Sequence, residues 1–208
     1  MKHRFAQYGC GLSAPEDWLN FDASPTLRIQ RTPVLNVLLR PKPVFPANVR
    51  YGDIIKGLPV KDDELDGVFC SHVLEHLSLE DFRRALRNTY KILKPGGVFR
   101  LVLPDLEFYA RKYLEDLSGG DALAAMTFIR QSMLGIERRP RGLGGMFRSF
   151  LGNSHHLWLW DYPSLSTELA AAGFRNIRRC EYHDGPEAFH AVEEYGRFVD
   201  CLAVECYK

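Results

Sequence analysis

Apolar residues recur through the first half of the chain in short runs, each closing on a glycine, an acid or a small polar residue. Runs of this kind, bounded by turn residues, predict strands near residues 3–8, 19–22, 48–52, 66–71 and 97–103. Between the last two, Leu79, Phe82, Leu86, Tyr90 and Leu93 recur with a helical period, and Ser78 with Asp81 three residues on predicts the helix start. Pro95-Gly96-Gly97 predicts the turn that stops it. Further helices are predicted over 105–117 and 121–134, and another over 163–172 with Pro163 in its first turn and Gly173 at its end. Residues 176–182 and 201–207 read as two closing strands. Strands alternating with helices predict an α/β fold with a mostly parallel sheet. The chain reads as one domain, 1–208, with a helical and loop insertion over 105–160.

Composition changes this picture little. At 208 residues, with 46% apolar and 25% charged residues, the chain is ordinary for a globular domain and long enough to bury a core. A net charge of +1 gives no pull toward nucleic acid, and none is expected as a partner. No apolar run approaches the roughly 18 residues of a membrane span, and Met1-Lys2-His3-Arg4 does not resemble a signal peptide. The five cysteines, 10, 70, 180, 201 and 206, form no C-x-x-C pair; reduced thiols and a cytoplasmic location are expected.

Chemistry enters where the strands end. The first predicted strand breaks into Gly9-Cys10-Gly11, where the lack of a Cβ allows close approach of a ligand to the backbone. The second ends on Asp22 and the third on Asp53. An acid at such a strand tip is placed to accept hydrogen bonds from ribose hydroxyls. The fourth runs through Cys70 and Ser71 into His72-Val73-Leu74-Glu75-His76. The carboxyl ends of these strands are where open α/β sheets bind ligands.

In order and spacing, the GCG loop, the Gly52-Asp53-Ile54 turn, the Leu74-Glu75-His76 segment and Leu93-Lys94-Pro95-Gly96-Gly97 resemble the class I S-adenosylmethionine-dependent methyltransferases. The resemblance is to their small, type-11-like branch; it covers roughly residues 3–105 and returns over 156–207. It implies a Rossmann-like sheet with a reversed C-terminal edge strand, and S-adenosyl-L-methionine as cofactor. On the matching positions it implies a cofactor site built from Tyr8, Gly9, Cys10, Gly11, Asp22, Asp53, Ile54, Cys70, Ser71 and His72. Gly9 and Gly11 would face the methionine moiety, Asp22 the ribose and Asp53 the adenine amino group. Three departures stand out. Gln7-Tyr8 replaces the usual acid before the glycines, Ser13 replaces the third glycine, and only eight residues, Leu12 to Leu19, lead from the loop to Asn20. That is too short for the usual first crossover helix, though residues 12–18 can hold one helical turn.

Three further groupings invite chemistry. His72-x-x-Glu75-His76 has the spacing of a two-histidine metal site, with His155 or His156 as a third ligand, and so suggests a metal-dependent hydrolase as an alternative. The segment follows a strand directly and is short, however, so it reads as a helix start and no metal is expected. A non-catalytic cofactor-fold protein is the other alternative. Asn153-Ser154-His155-His156, followed by Trp158, Trp160 and Tyr162, forms a dense patch before the last helix. His155 and His156 are the candidate catalytic residues, since a neutral imidazole can take a proton from a hydroxyl acceptor. The aromatics read better as a plug packing the insertion onto the sheet. Arg138, Arg139, Arg141 and Arg148 lie in a Gly/Arg-rich stretch that predicts a solvated surface loop. No segment precedes the first strand in this sequence, so acceptor recognition is expected from 105–160. By analogy with relatives of compact layout, the acceptor is a small hydroxylated molecule or a saccharide; the oligomeric state is not legible.

Overall fold

The computed structural model describes residues 4–137 and 155–208. Seven strands form one sheet: β1 (Phe5–Tyr8), β2 (Trp18–Asp22), β3 (Val49–Tyr51), β4 (Leu65–Ser71), β5 (Leu93–Pro104), β6 (Arg175–Arg179) and β7 (Cys201–Tyr207). Their order is β3-β2-β1-β4-β5-β7-β6. The first five pair in parallel, and β7 runs antiparallel to both β5 and β6. The reversed strand thus lies one position in from the edge, between β5 and β6.

The link from β1 to β2, Gly9 to Asp17, contains no helix. Two buried amides replace the packing such a helix would give. Gln7 and Asn20 are directly opposite on β1 and β2, and Gln7 Nε2 donates to Asn20 Oδ1 at 2.7 Å. Gln7 Nε2 also reaches the Ser13 carbonyl at 2.8 Å, and Asn20 Nδ2 the Pro15 carbonyl at 2.9 Å. The loop carbonyls are therefore satisfied by side chains of the strands beneath them, as buried polar groups must be. Gln7 thereby holds the shortened crossover down.

The helices of the second connection were not predicted. Between β2 and β3 lie α1 (Pro25–Gln30) and α2 (Pro33–Leu39), each opened by a proline, whose missing N–H costs nothing there. Ser24 caps α1. The long helix α3 (Leu79–Ile92) starts as expected, with Ser78 Oγ accepting from the Asp81 N–H at 3.2 Å. It buries Phe82, Ala85, Leu86, Thr89 and Ile92 against the sheet. Beyond β5 come α4 (Leu106–Ser118), α5 (Ala124–Gln131) and, after the segment not described, α6 (Tyr162–Ala171), capped by Asp161.

One predicted turn is part of a strand. Pro95-Gly96-Gly97 lies inside β5, where the register against β4 slips between Leu65↔Leu93 and Gly67↔Val98. Gly96, at φ +77°, absorbs the extra residues as a bulge that a Cβ would strain.

The core has two faces. Phe82 and Leu86 of α3, Leu165 and Leu169 of α6, and Trp160 pack with Tyr8, Val68 and Leu101 on one. On the other, Trp18, Phe69, Val102 and Ala203 gather around Phe189, from a 3₁₀ turn at Glu187–Ala191. Beside Phe189 lies a buried charge network. Arg100 is 1% exposed and bonds Glu193 (2.8 Å), Glu205 (2.6 Å) and Asp184 (3.0 Å). No helix among the described residues is long and apolar enough to cross a membrane.

Candidate functional site

The carboxyl ends of β1, β2 and β4 and the start of the loop after β3 enclose a cleft of 430 Å³. Tyr8, Gly9, Asp22, Asp53, Ile54 and His72 line it, together with Val73 and His76. The tip of β2 is braced by its surroundings. Asp22 Oδ1 accepts from the Ser24 N–H at 2.7 Å and Oδ2 from the Gly11 N–H at 3.0 Å. Each oxygen keeps a second lone pair, so the carboxylate can still accept from a diol. The Gly11 amide is thus turned onto Asp22. Asp53 accepts from the Ile55 N–H at 3.0 Å and pairs with exposed Lys56 at 3.6 Å.

The two glycines serve different ends. Both have positive φ, +67° at Gly9 and +56° at Gly11. A Cβ at Gly9 would overlap the Val73 side chain, whereas one at Gly11 would meet nothing within 4 Å. Gly9 therefore lets the loop close on the turn after β4. The other predicted cofactor residues sit nearby. Cys10 and Ser71 border a small hollow beside the main cleft, shared with Tyr8, Gly9 and Arg197. The Cys70 side chain is buried in the core. Burial, and next the charge of Asp22, push the Cys10 thiol up to about 12, so it stays protonated.

The fourth strand ends in a cluster. A 3₁₀ turn, Leu74–His76, follows β4 and buries Glu75 completely. Its backbone carbonyl accepts from the Leu157 N–H at 2.7 Å and the Trp158 N–H at 3.1 Å, which docks residues 155–160 onto this turn. That docking delivers His156. Around Glu75 Oε1 stand His72 Nδ1 at 3.4 Å, His76 Nε2 at 3.9 Å and His156 Nε2 at 3.9 Å. His156 is 7% exposed, and its Nδ1 donates to the Ser132 carbonyl at 2.8 Å. Burial holds its pKa below the usual imidazole value, against the opposing pull of Glu75. For His72, burial acts downward but is outweighed by Cys201, the nearby Glu75 carboxylate and the Arg197 carbonyl, which raise it to about 10.

The two candidate catalytic histidines are separated by the fold. His156 joins the Glu75 cluster behind His76, their rings 5.0 Å apart, and His76 reaches the cleft. The His155 side chain lines a separate cavity of 780 Å³ with Met126 and Ile129 of α5. The aromatics behave as a plug where they are buried. Trp160 is 2% exposed and stacks on Phe82 at 4.3 Å, and Tyr162 Oη donates to the Ile177 carbonyl at 3.1 Å. Trp158 is 42% exposed. Arg138, Arg139, Arg141, Arg148, Asn153 and Ser154 lie outside the described residues.

Residues 8–101 match the methyltransferase-domain family. The fold is shared with a solved S-adenosylmethionine-dependent methyltransferase of Thermotoga maritima, described as a possible histamine N-methyltransferase. Identity is 18% over 99% of this chain and 82% of that one, with a TM-score of 0.52. A Mesorhizobium loti S-adenosylmethionine-dependent methyltransferase aligns at 17% identity over 99% and 90%, with a TM-score of 0.50. PigF, solved with SAH, aligns at 17% over 98% of this chain and 50% of that one, also at 0.50. No curated protein matches the chain in sequence. The matched segment, residues 8–101, is a methyltransferase domain of the type-11 kind, and the enzyme uses S-adenosylmethionine as its cofactor. The cleft fits that group: a braced carboxylate with lone pairs to spare, a second acid, and an apolar wall at Ile54 and Leu77.

Proposed function

We propose that the chain methylates a hydroxyl oxygen of a small acceptor, a saccharide or similar polyhydroxylated molecule. The cofactor, when bound, supplies an electrophilic sulfonium methyl. In this reading Asp22 accepts from both ribose hydroxyls, Asp53 from the adenine amino group, and Ile54 covers the adenine face. The Tyr8–Gly11 and Cys70–His72 segments surround the methionine end. The insertion 105–160 forms the acceptor side, and five free cysteines, four of them buried, favour a cytoplasmic setting.

The observation that carries the choice of oxygen is the imidazole–carboxylate cluster on the cleft wall. An amine needs little help once positioned, whereas a hydroxyl must lose its proton as the methyl arrives. His76 lines the cleft, and Glu75 and His156 stand directly behind it. His156 thus takes part in the acceptor chemistry from the second row, and His155 lies apart from it.

The test is release of S-adenosylhomocysteine with matched panels of hydroxylated and amine acceptors. A hydroxylated acceptor should turn over, and His156→Asn should depress that turnover while cofactor affinity stays within about twofold, since the residue is remote from the donor. Turnover confined to amines, or a wild-type rate in both His76→Asn and His156→Asn, overturns the reading.

A further inference from the structure

Glu75 is the least explained group in the molecule. It is a fully buried carboxylate, and neither of its side-chain oxygens has a hydrogen bond among the described residues. An unpaired buried charge costs several kcal/mol, so such groups are paired or bind metal. Glu75 faces three imidazoles instead. We propose that Glu75, His76 and His156 bind a divalent transition-metal ion.

Three features carry this. First, one carboxylate oxygen and two ring nitrogens of these residues lie within 4.8 Å of one another. Ligands tetrahedral about zinc at about 2.0–2.1 Å stand about 3.3 Å apart, so the two 3.9 Å separations need to close by about half an ångström and the His76–His156 separation, within 4.8 Å, by at most about 1.5 Å. Second, the tautomers are set. His156 Nδ1 donates to the Ser132 carbonyl at 2.8 Å and His76 Nδ1 to the His155 carbonyl at 3.0 Å. A carbonyl only accepts, so each neutral ring has its proton on Nδ1 and its lone pair on Nε2, the nitrogen turned to Glu75. Backbone carbonyls behind ligating histidines are the usual orienting shell of a metal site. Third, the ligand set selects its ion: two imidazoles and one carboxylate suit zinc, cobalt or manganese and not calcium or magnesium, which prefer oxygen throughout.

His72 completes the surroundings, with Nδ1 3.4 Å from Glu75 Oε1 and Nε2 bonded to the Arg197 carbonyl at 3.1 Å. The sequence argued against a metal because the H-x-x-E-H segment lacks a long helix. The fold gathers the ligands differently: a 3₁₀ turn presents Glu75 and His76, and the docked segment 155–160 brings His156 over them. The inference concerns binding and does not depend on which acceptor is methylated. An ion held here adjoins the cleft through His76.

The experiment uses the full chain without a histidine tag, stripped with a chelator and titrated with cobalt(II), read by its visible absorption and by thermal unfolding with zinc. One equivalent of cobalt with a tetrahedral or five-coordinate spectrum, and a rise in melting temperature with zinc, are expected. His156→Asn and Glu75→Gln should each weaken cobalt binding by at least roughly tenfold. His183→Asn, at a histidine outside the cluster, should leave it unchanged. Glu75→Gln tests a buried position, so circular dichroism accompanies it, and His156→Asn stands as the independent variant. Folded wild-type protein that takes up no cobalt overturns the proposal. So does binding that survives in His156→Asn or is lost in His183→Asn. Because no acceptor is present, failure here leaves the methylation reading intact, and the converse holds as well.

Discussion

Gly9→Ala offers the sharpest test of how the cleft is assembled, because the structure separates its two costs. Gly9 is at φ +67°, a left-handed conformation that costs an alanine about 1–2 kcal/mol. Its new methyl would also overlap Val73 Cγ2, while Val73 Cβ at 3.4 Å and Cγ1 at 3.6 Å stay in ordinary contact. Overpacking of that kind adds about 1–3 kcal/mol, for a total of about 2–5 kcal/mol. Gly11→Ala is the internal control: it shares the positive φ, at +56°, but has nothing within 4 Å, so it should cost only the first part. Val73→Ala removes the overlap at its own cost of about 1 kcal/mol for two half-buried methyl groups. The double variant Gly9→Ala/Val73→Ala should therefore be more stable than the two single effects predict, by about 1–3 kcal/mol. Urea unfolding measures all four proteins, and calorimetric titration with S-adenosylmethionine follows the cleft. Additivity within about 0.5 kcal/mol, or Gly9→Ala as mild as Gly11→Ala, refutes the close approach of loop and turn.

Three other outcomes follow from single contacts. Asp22→Ala should weaken S-adenosylmethionine binding by about 1.5–3 kcal/mol, the worth of charge-assisted bonds to the ribose, and unchanged calorimetric affinity would place the ribose elsewhere. Arg100→Met should cost about 3–5 kcal/mol in unfolding, because Glu193 is left buried without its cation while Glu205 keeps only Arg178, and adding Glu193→Gln should recover part of it. Glu168 is held below the ordinary carboxylate range chiefly by its hydrogen bonds to Arg83, at 2.8 and 2.6 Å. Its contribution to stability is therefore complete above the unfolded value of about 4.5 and fades as pH falls through the lower folded value. Glu168→Gln should accordingly match the wild type in acid and lose a little stability near neutrality; an equal gap at both pH values would mean the pair contributes nothing through charge.

The sheet was legible in the sequence where a strand is both apolar and closed by chemistry. Asp22 marks the end of β2 because an acid after a buried run must stand at the rim, and Asp53 follows just beyond the short β3. The α3 start was legible for the same kind of reason, since Ser78 and Asp81 are useful only at a cap. Reading failed where local chemistry has two uses. Pro-Gly-Gly serves a turn or a bulge equally well, and only the register with β4 decides between them. The short helices α1 and α2 bury a single residue between them, Leu27, so no apolar period announces them. Arg100 had a signal that went unused. A lone arginine at an inward position of an apolar strand demands acids, and Glu205 stands directly opposite on β7.

The site was half legible, and the division is physical. Residues within one strand end and its loop, from Tyr8 to Gly11 or at Asp22, are placed by the sheet alone, because the carboxyl edge of a parallel sheet gathers its own loops. Glu75 and His156 meet only because the Glu75 carbonyl takes the amides of Leu157 and Trp158, a contact between segments with no shared pattern. The same contact explains why His155 and His156, adjacent in sequence, part company. The docked backbone turns one imidazole to the buried carboxylate and sets the other residue against the α5 cavity. A histidine pair in such a segment is thus one candidate and not two. What selects His156 is the backbone register set at Glu75, and a one-residue slip at that contact would exchange their roles.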